Sequence, residues 1–307
     1  MTLNNSLCLA ALVLALPVPT TIASPLQALT GREPYGRERC VIEKQDEKTV
    51  MKTELPFRLS KGYLLQVEGQ IGGRDHLRFI LDTGATMSMI DRRIADALGV
   101  EYQPVESFNF DRKLNWDQAT IPGICFGPIE AKNITVLVGT MAKYSEFARD
   151  VDAVIGLDML TLRNFTVDYR SRKLLFDAPI DPPRPTRDTA LRNCMILKIY
   201  VQGHPIQLIV DTGFSGILLF EERLRTSVPD IRMTRDIFDV TLDGRLRAKR
   251  TLLENVAIGA ASRDVTVLLT KAPAADTLPG IDGVIGIAAL NAHRVHFDFA
   301  RQSLNWE

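Results

Sequence analysis

Apolar residues in this chain fall in short runs rich in Val, Ile, Leu, Thr and Phe, separated by turn signals such as Asp243-Gly244. That spacing predicts a mainly β protein. Helical signals are few. Asp91 can cap a short helix with Ile94 and Leu98 on its inner face and Gly99 as its stop, and Glu221 to Arg225 is a weaker counterpart. Two stretches break the β pattern. Residues 25–55 are polar and charged with little periodicity, and Pro179 to Pro185 holds four prolines, which marks a linker. At the start, Leu7 to Pro17 is almost wholly apolar and is followed by the small residues Ala23 and Ser24. The run is shorter than the roughly 20 residues that cross a bilayer. It reads as the apolar region of a secretory signal peptide, which places the protein in the periplasm or outside the cell and predicts no stable membrane span.

The pattern is written twice. Leu77-Arg-Phe-Ile-Leu-Asp82-Thr-Gly-Ala-Thr86 matches Ile206-Gln-Leu-Ile-Val-Asp211-Thr-Gly-Phe-Ser215, with the aspartates 129 residues apart (211 − 82). Val154-Ile-Gly156-Leu then matches Val284-Ile-Gly286-Ile at an offset of 130 (286 − 156). Ile134-Thr-Val-Leu-Val138 pairs with Val265-Thr-Val-Leu-Leu269, and Phe165-Thr-Val-Asp168-Tyr with Val295-His-Phe-Asp298-Phe. A period this long is a duplicated lobe and not a solenoid. The expected division is a signal peptide at 1–24, an N-terminal extension at 25–55 and a first lobe at 56–178. A Pro-rich linker at 179–192 and a second lobe at 193–307 complete it.

Charge removes whole classes of function. Lys plus Arg equals Asp plus Glu at 37 each, so no basic footprint for nucleic acid exists. Once a signal peptide carrying Cys8 is removed, Cys40, Cys125 and Cys194 remain, an odd number that fits one disulfide plus one buried thiol. No CxxC or Cys/His cluster points to a metal, and His293 and His296 read as surface or core residues. No phosphate loop, dinucleotide fingerprint or serine elbow is present, so no cofactor is expected.

A lone Asp-Thr-Gly is usually a turn or a helix cap. Two copies at matching places, each after an apolar strand, are different, because an aspartate beside a buried strand is costly to keep. These motifs resemble the retropepsin-like and pepsin-like aspartic proteases over roughly residues 57–307, and lobe size resembles a fused pair of retropepsin-type units. The resemblance implies two similar retropepsin-like β-barrel lobes related by pseudo-two-fold symmetry, with short helices. It implies an aspartic endopeptidase whose Asp82 and Asp211 activate a water against peptide bonds. Two adjacent carboxylates hold a single proton between them, so one serves as base while the other donates. Thr83 and Thr212 would lock the two loops together. Gly84 and Gly213 would allow close backbone approach, and Thr86 and Ser215 would donate to the outer carboxylate oxygens.

A cleft of this kind is covered by hairpins. Leu242-Asp243-Gly244 offers a flap turn in the second lobe, and Phe108, Phe110 and Trp116 in the first either line a substrate pocket or pack the flap. Phe214 stands where a small residue usually follows Asp-Thr-Gly, and its bulk is expected to narrow one side of the cleft. Asp168 and Asp298 read as structural positions, and Asn133 and Asn164 head glycosylation sequons. The expected partner is a peptide or protein substrate, and the expected state a monomer, since one chain carries both half-sites. The competing reading is a non-catalytic peptide-binding protein on the same scaffold. A third is an enzyme latent until residues 25–55 are removed.

Overall fold

The computed structural model describes residues 13–14, 54–109, 112–143, 150–179, 193–231, 238–242, 246–273 and 278–307. Among these residues the architecture is mostly β, in three sheets. In the first lobe, strand Leu64–Ile71 pairs antiparallel with Arg74–Leu81, which delivers the chain to Asp82. The chain returns as Met89–Asp91 and the helix Arg92–Leu98. Asp91 caps this helix by accepting the Arg93 N–H, and Gly99 ends it at φ 64°, a left-handed conformation natural to glycine. A long hairpin, Tyr102–Asn109 with Arg112–Phe126, leads to Ile129–Gly139. A two-residue strand, Val13–Leu14, lies antiparallel beside Asn109 and Phe108, so part of the stretch read as a signal peptide abuts this hairpin.

The element that places the site comes next. Ala153–Ile155 inserts between two strands that are neighbours in sequence. It runs parallel to Phe79–Leu81 on one side and antiparallel to Met89 and Ile90 on the other. The loop from Asp82 to Ser88 therefore crosses over its end. A strand buried on both faces must be apolar throughout. Phe79, Ile80, Leu81, Val154 and Ile155 are all fully buried.

The second lobe repeats the plan. Ile196–Val201 pairs with His204–Asp211, Ile217–Phe220 leads into the helix Glu221–Ser227, and a hairpin follows. Gly283–Gly286 inserts parallel to Leu208–Asp211 and antiparallel to Ile217–Leu219. Each sheet curls until distant strands meet. Gln70 pairs with Cys125 and Ile71 with Ile124 in the first lobe, as Tyr200 pairs with Ala257 and Val201 with Val256 in the second.

The third sheet joins the lobes. Its order is Glu54–Pro56, Lys173–Pro179, Arg163–Asp168, Arg294–Asp298 and Ser303–Trp306. At its centre Thr166 pairs antiparallel with His296, its own counterpart at the 130 offset, and the two side chains hydrogen-bond at 2.9 Å. A residue pairing with its own equivalent is what a local two-fold relation produces. Phe165 stacks on Phe297 with centroids 4.9 Å apart. Glu54 and Leu55, expected in the extension, belong to this sheet, and Pro179, expected in the linker, still pairs with Arg163. The periodicity of three residues is too short to mark such an edge strand.

Cys125 is in a disulfide whose partner lies outside the described residues, and Cys194 is a buried thiol. Asn164 is buried and its amide binds Asp298 and the Phe299 N–H, so that sequon serves the fold. Asp168 accepts from the Arg170 and Ser171 amides of its turn. Among the described residues no group of His, Cys, Asp and Glu is placed to hold a metal ion, and no helix is long and apolar enough to cross a membrane.

Candidate active site

Each Asp-Thr-Gly sits at the end of a buried strand. The Asp82 N–H bonds to the Ile155 carbonyl at 2.9 Å, and Asp211 pairs with Gly286. Tied at the strand end, the following residues turn back and aim their amides at the carboxylate. The Gly84 N–H donates to Asp82 Oδ1 at 2.8 Å and the Ala85 N–H at 3.2 Å, while the Gly213 N–H donates to Asp211 Oδ1 at 2.6 Å.

The two loops are locked by four reciprocal hydrogen bonds. Thr83 N–H donates to Thr212 Oγ1 at 3.0 Å, and Thr212 N–H donates to Thr83 Oγ1 at 3.1 Å. Each hydroxyl then donates across the interface, Thr83 to the Val210 carbonyl at 2.8 Å and Thr212 to the Leu81 carbonyl at 2.6 Å. Both threonines are buried, so no water can substitute for a lost partner. Thr83→Val is expected to orphan the Thr212 N–H and the Val210 carbonyl at about 1–3 kcal/mol each. Thr83→Ser is expected to restore most of that stability in denaturant unfolding.

The lock brings the carboxylates together. A Cβ built on Gly84 would lie 2.5 Å from Asp211 Oδ2, and one on Gly213 would lie 2.7 Å from Asp82 Oδ2. Each glycine therefore leaves room for the other lobe's aspartate. Asp82 is 1% exposed and Asp211 0%. Burial holds both carboxyls above the ordinary range. For Asp82 the charge of Asp211 and their mutual hydrogen bond push further up, against the Gly84 and Ala85 amides. For Asp211 that same hydrogen bond and the Gly213 amide pull down against burial. The titration belongs to the pair, which keeps one proton when isolated aspartates would have lost theirs. Asp211 Oδ2 receives no protein hydrogen bond among the described residues.

The other expected site residues divide. Thr86 and Ser215 are half-buried beside the dyad, and Ser215 does not reach Asp211 Oδ2. Trp116 is buried among Tyr63, Met89, Leu137 and Met141, where it packs the lobe. Phe214 is also buried in the core, and its backbone crosses the glycine strand where a Cβ on Gly286 would fall 2.0 Å from its carbonyl oxygen. It does not narrow the cleft. Leu242 and Phe108 lie in hairpin strands whose side chains are outside the description, and Phe110, Asp243 and Gly244 lie outside the described residues.

Two residues near the dyad carry no signal in the repeat. Burial and then the charges of Asp211 and Asp82 push the Cys194 thiol up to about 12, which keeps it protonated and unreactive. Asp158 lies just past Gly156, and desolvation raises its carboxyl to about 6 against hydrogen bonds from Ser88. A folded-state value above the unfolded one near 3.8 means a contribution to stability that is complete below that lower value. It is lost as pH rises through about 6. The contribution is on the order of 2–3 kcal/mol. Thermal unfolding followed from pH 4 to pH 8 is expected to show a larger loss in the parent than in Asp158→Asn, which keeps only the loss due to the raised dyad.

Two loops from two lobes thus bring together one carboxyl each, with one proton between them. A family model described as gag-polyprotein putative aspartyl protease matches residues 67–161, which span the first Asp-Thr-Gly and its glycine strand. With the same motif repeated at Asp211, the match supports placing the chain in the retropepsin-like aspartic protease family. Among solved structures the chain is similar to a retropepsin-like aspartic protease from Rickettsia conorii. Identity is 21% over 40% of this chain and 89% of that one, and at a TM-score of 0.29 the likeness carries no argument. No curated protein matches the chain.

Proposed function

We propose that this chain is an endopeptidase that hydrolyses peptide bonds with a water activated by Asp82 and Asp211. The observation that carries the reading is the contact of each carboxylate with the opposite lobe's glycine, which forces the pair to share a proton. The ionised member takes a proton from the attacking water, and the neutral member donates to the scissile carbonyl oxygen. The tetrahedral intermediate then collapses with loss of the amine, and no covalent acyl-enzyme forms. Pure binding would gain nothing from a buried, proton-sharing pair, which counts against the non-catalytic alternative.

The same proposal places the protein in an oxidising compartment, periplasmic or secreted. The disulfide at Cys125 supports that location, because such bonds persist there. The test is purified protein, with and without residues 25–53, which spares the strand Glu54–Pro56, scanned over pH against a peptide library. Cleavage that disappears in Asp82→Asn supports the reading. Cleavage that survives in both Asp82→Asn and Asp211→Asn ends it.

A further inference from the structure

The two catalytic loops are not supported alike. In the first lobe the loop is tied to the strand beneath it at three points. Asp82 N–H bonds to the Ile155 carbonyl, Leu157 N–H to the Ala85 carbonyl at 2.8 Å, and Gly156 N–H to Ser88 Oγ at 3.0 Å. Ser88 is fully buried and is itself gripped by a carboxylate. Its N–H donates to Asp158 Oδ2 at 2.9 Å and its hydroxyl to Asp158 Oδ1 at 2.7 Å. The Ser88 carbonyl accepts from Leu137, so the loop's far end is bonded on every side. In the second lobe the matching positions are Ile217 and Ala288, neither with a polar side chain, and Gly286 N–H bonds only to the Gly216 carbonyl at 2.8 Å.

We propose that Asp158 is a positioning residue for Asp82. Through Ser88 it sets how closely loop 82–88 sits over the strand Ala153–Ile155, and it does so for one lobe alone. The inference rests on Asp82 being half of the catalytic pair. The carboxylate has the form the task needs, since two oxygens accept both Ser88 donors at once and fix that residue's backbone and side chain together. The groups acting on Asp158 are the Ser88 N–H and hydroxyl from the loop and the Met159 and Asp158 N–H groups from its own short helix, and none carries a charge. A small displacement of Asp82 matters because the proton-sharing geometry depends on the approach of two rigid loops.

The test compares Asp158→Ala with Asp158→Asn in the full chain. Asparagine offers an oxygen to the Ser88 N–H and an amide to the hydroxyl oxygen, so it preserves the tie, whereas alanine removes it. In amide NMR, Asp158→Ala is expected to shift the Gly84 and Ala85 resonances while Gly213 stays in place, and Asp158→Asn is expected to restore them. On a cleaved peptide, kcat is expected to fall about tenfold in Asp158→Ala with KM nearly unchanged. Unmoved Gly84 and Ala85 amides, an equal shift at Gly213, an asparagine variant as damaged as the alanine one, or an intact kcat would each overturn the proposal. Absence of any peptide cleavage by the parent would overturn the proposed function instead, and the amide shifts would still decide this inference.

Discussion

Replacing either catalytic aspartate by asparagine is expected to abolish peptide hydrolysis while leaving the fold intact. Asp82→Asn and Asp211→Asn keep the shape of the side chain and the acceptor oxygen that the Gly84 or Gly213 N–H binds. What they remove is the shared proton. An amide can neither take a proton from water nor pass one on, so both halves of the acid–base cycle fail together. General acid–base catalysis is worth about 10²–10⁴-fold, and kcat is expected to fall by at least that much in each variant. The double variant is expected to be no worse than either single one, because the two carboxyls act as one unit. Relief of the charge repulsion also predicts unfolding midpoints equal to or above the parent's at pH 7. Kinetics beside thermal unfolding separates loss of chemistry from loss of structure.

The second large effect is steric. Gly84→Ala and Gly213→Ala each place a carbon within 2.5–2.7 Å of an oxygen of the opposite aspartate. Carbon and oxygen do not approach so closely, so the loops must separate. Overpacking a filled interior costs about 1–3 kcal/mol, and here the strain falls on the four-bond threonine lock. Both variants are expected to lose nearly all activity, with stability reduced as well. A pH profile offers a further sign. With the carboxyls apart, any residual activity should titrate as ordinary aspartates do, near 4.

Most of the site was legible because it is repeated. Asp82 and Asp211 stand in matching motifs, and Gly156 and Gly286 keep nearly the same distance behind them. Repetition removes the ambiguity of a single Asp-Thr-Gly, and the threonine and glycine contacts follow from it. The insertion of Ala153–Ile155 between strands about 70 residues earlier has no local signature, since a strand buried on both faces shows only a run of apolar residues. The sheet joining the lobes was hidden for a related reason. Thr166 and His296 look like ordinary alternating strand positions until they are found opposite each other.

Departures from the repeat also carry information. Ser88 and Asp158 have apolar counterparts in Ile217 and Ala288, a difference visible in the aligned halves. A polar pair found in one copy and not in the other marks a buried contact peculiar to that lobe. Phe214 was read the other way, as a bulky residue facing substrate. The duplicated lobe has a core to fill behind its loop, and that is where the ring goes.

The account depends on Asp82 and Asp211 sharing a proton, and carboxyl-carbon NMR of aspartate-labelled protein measures it. The prediction is two linked steps for this pair, one carboxyl keeping its proton well above the range of the surface aspartates, with the coupling gone in Asp211→Asn. Two independent titrations near 4, unaffected by replacing the partner, would contradict it.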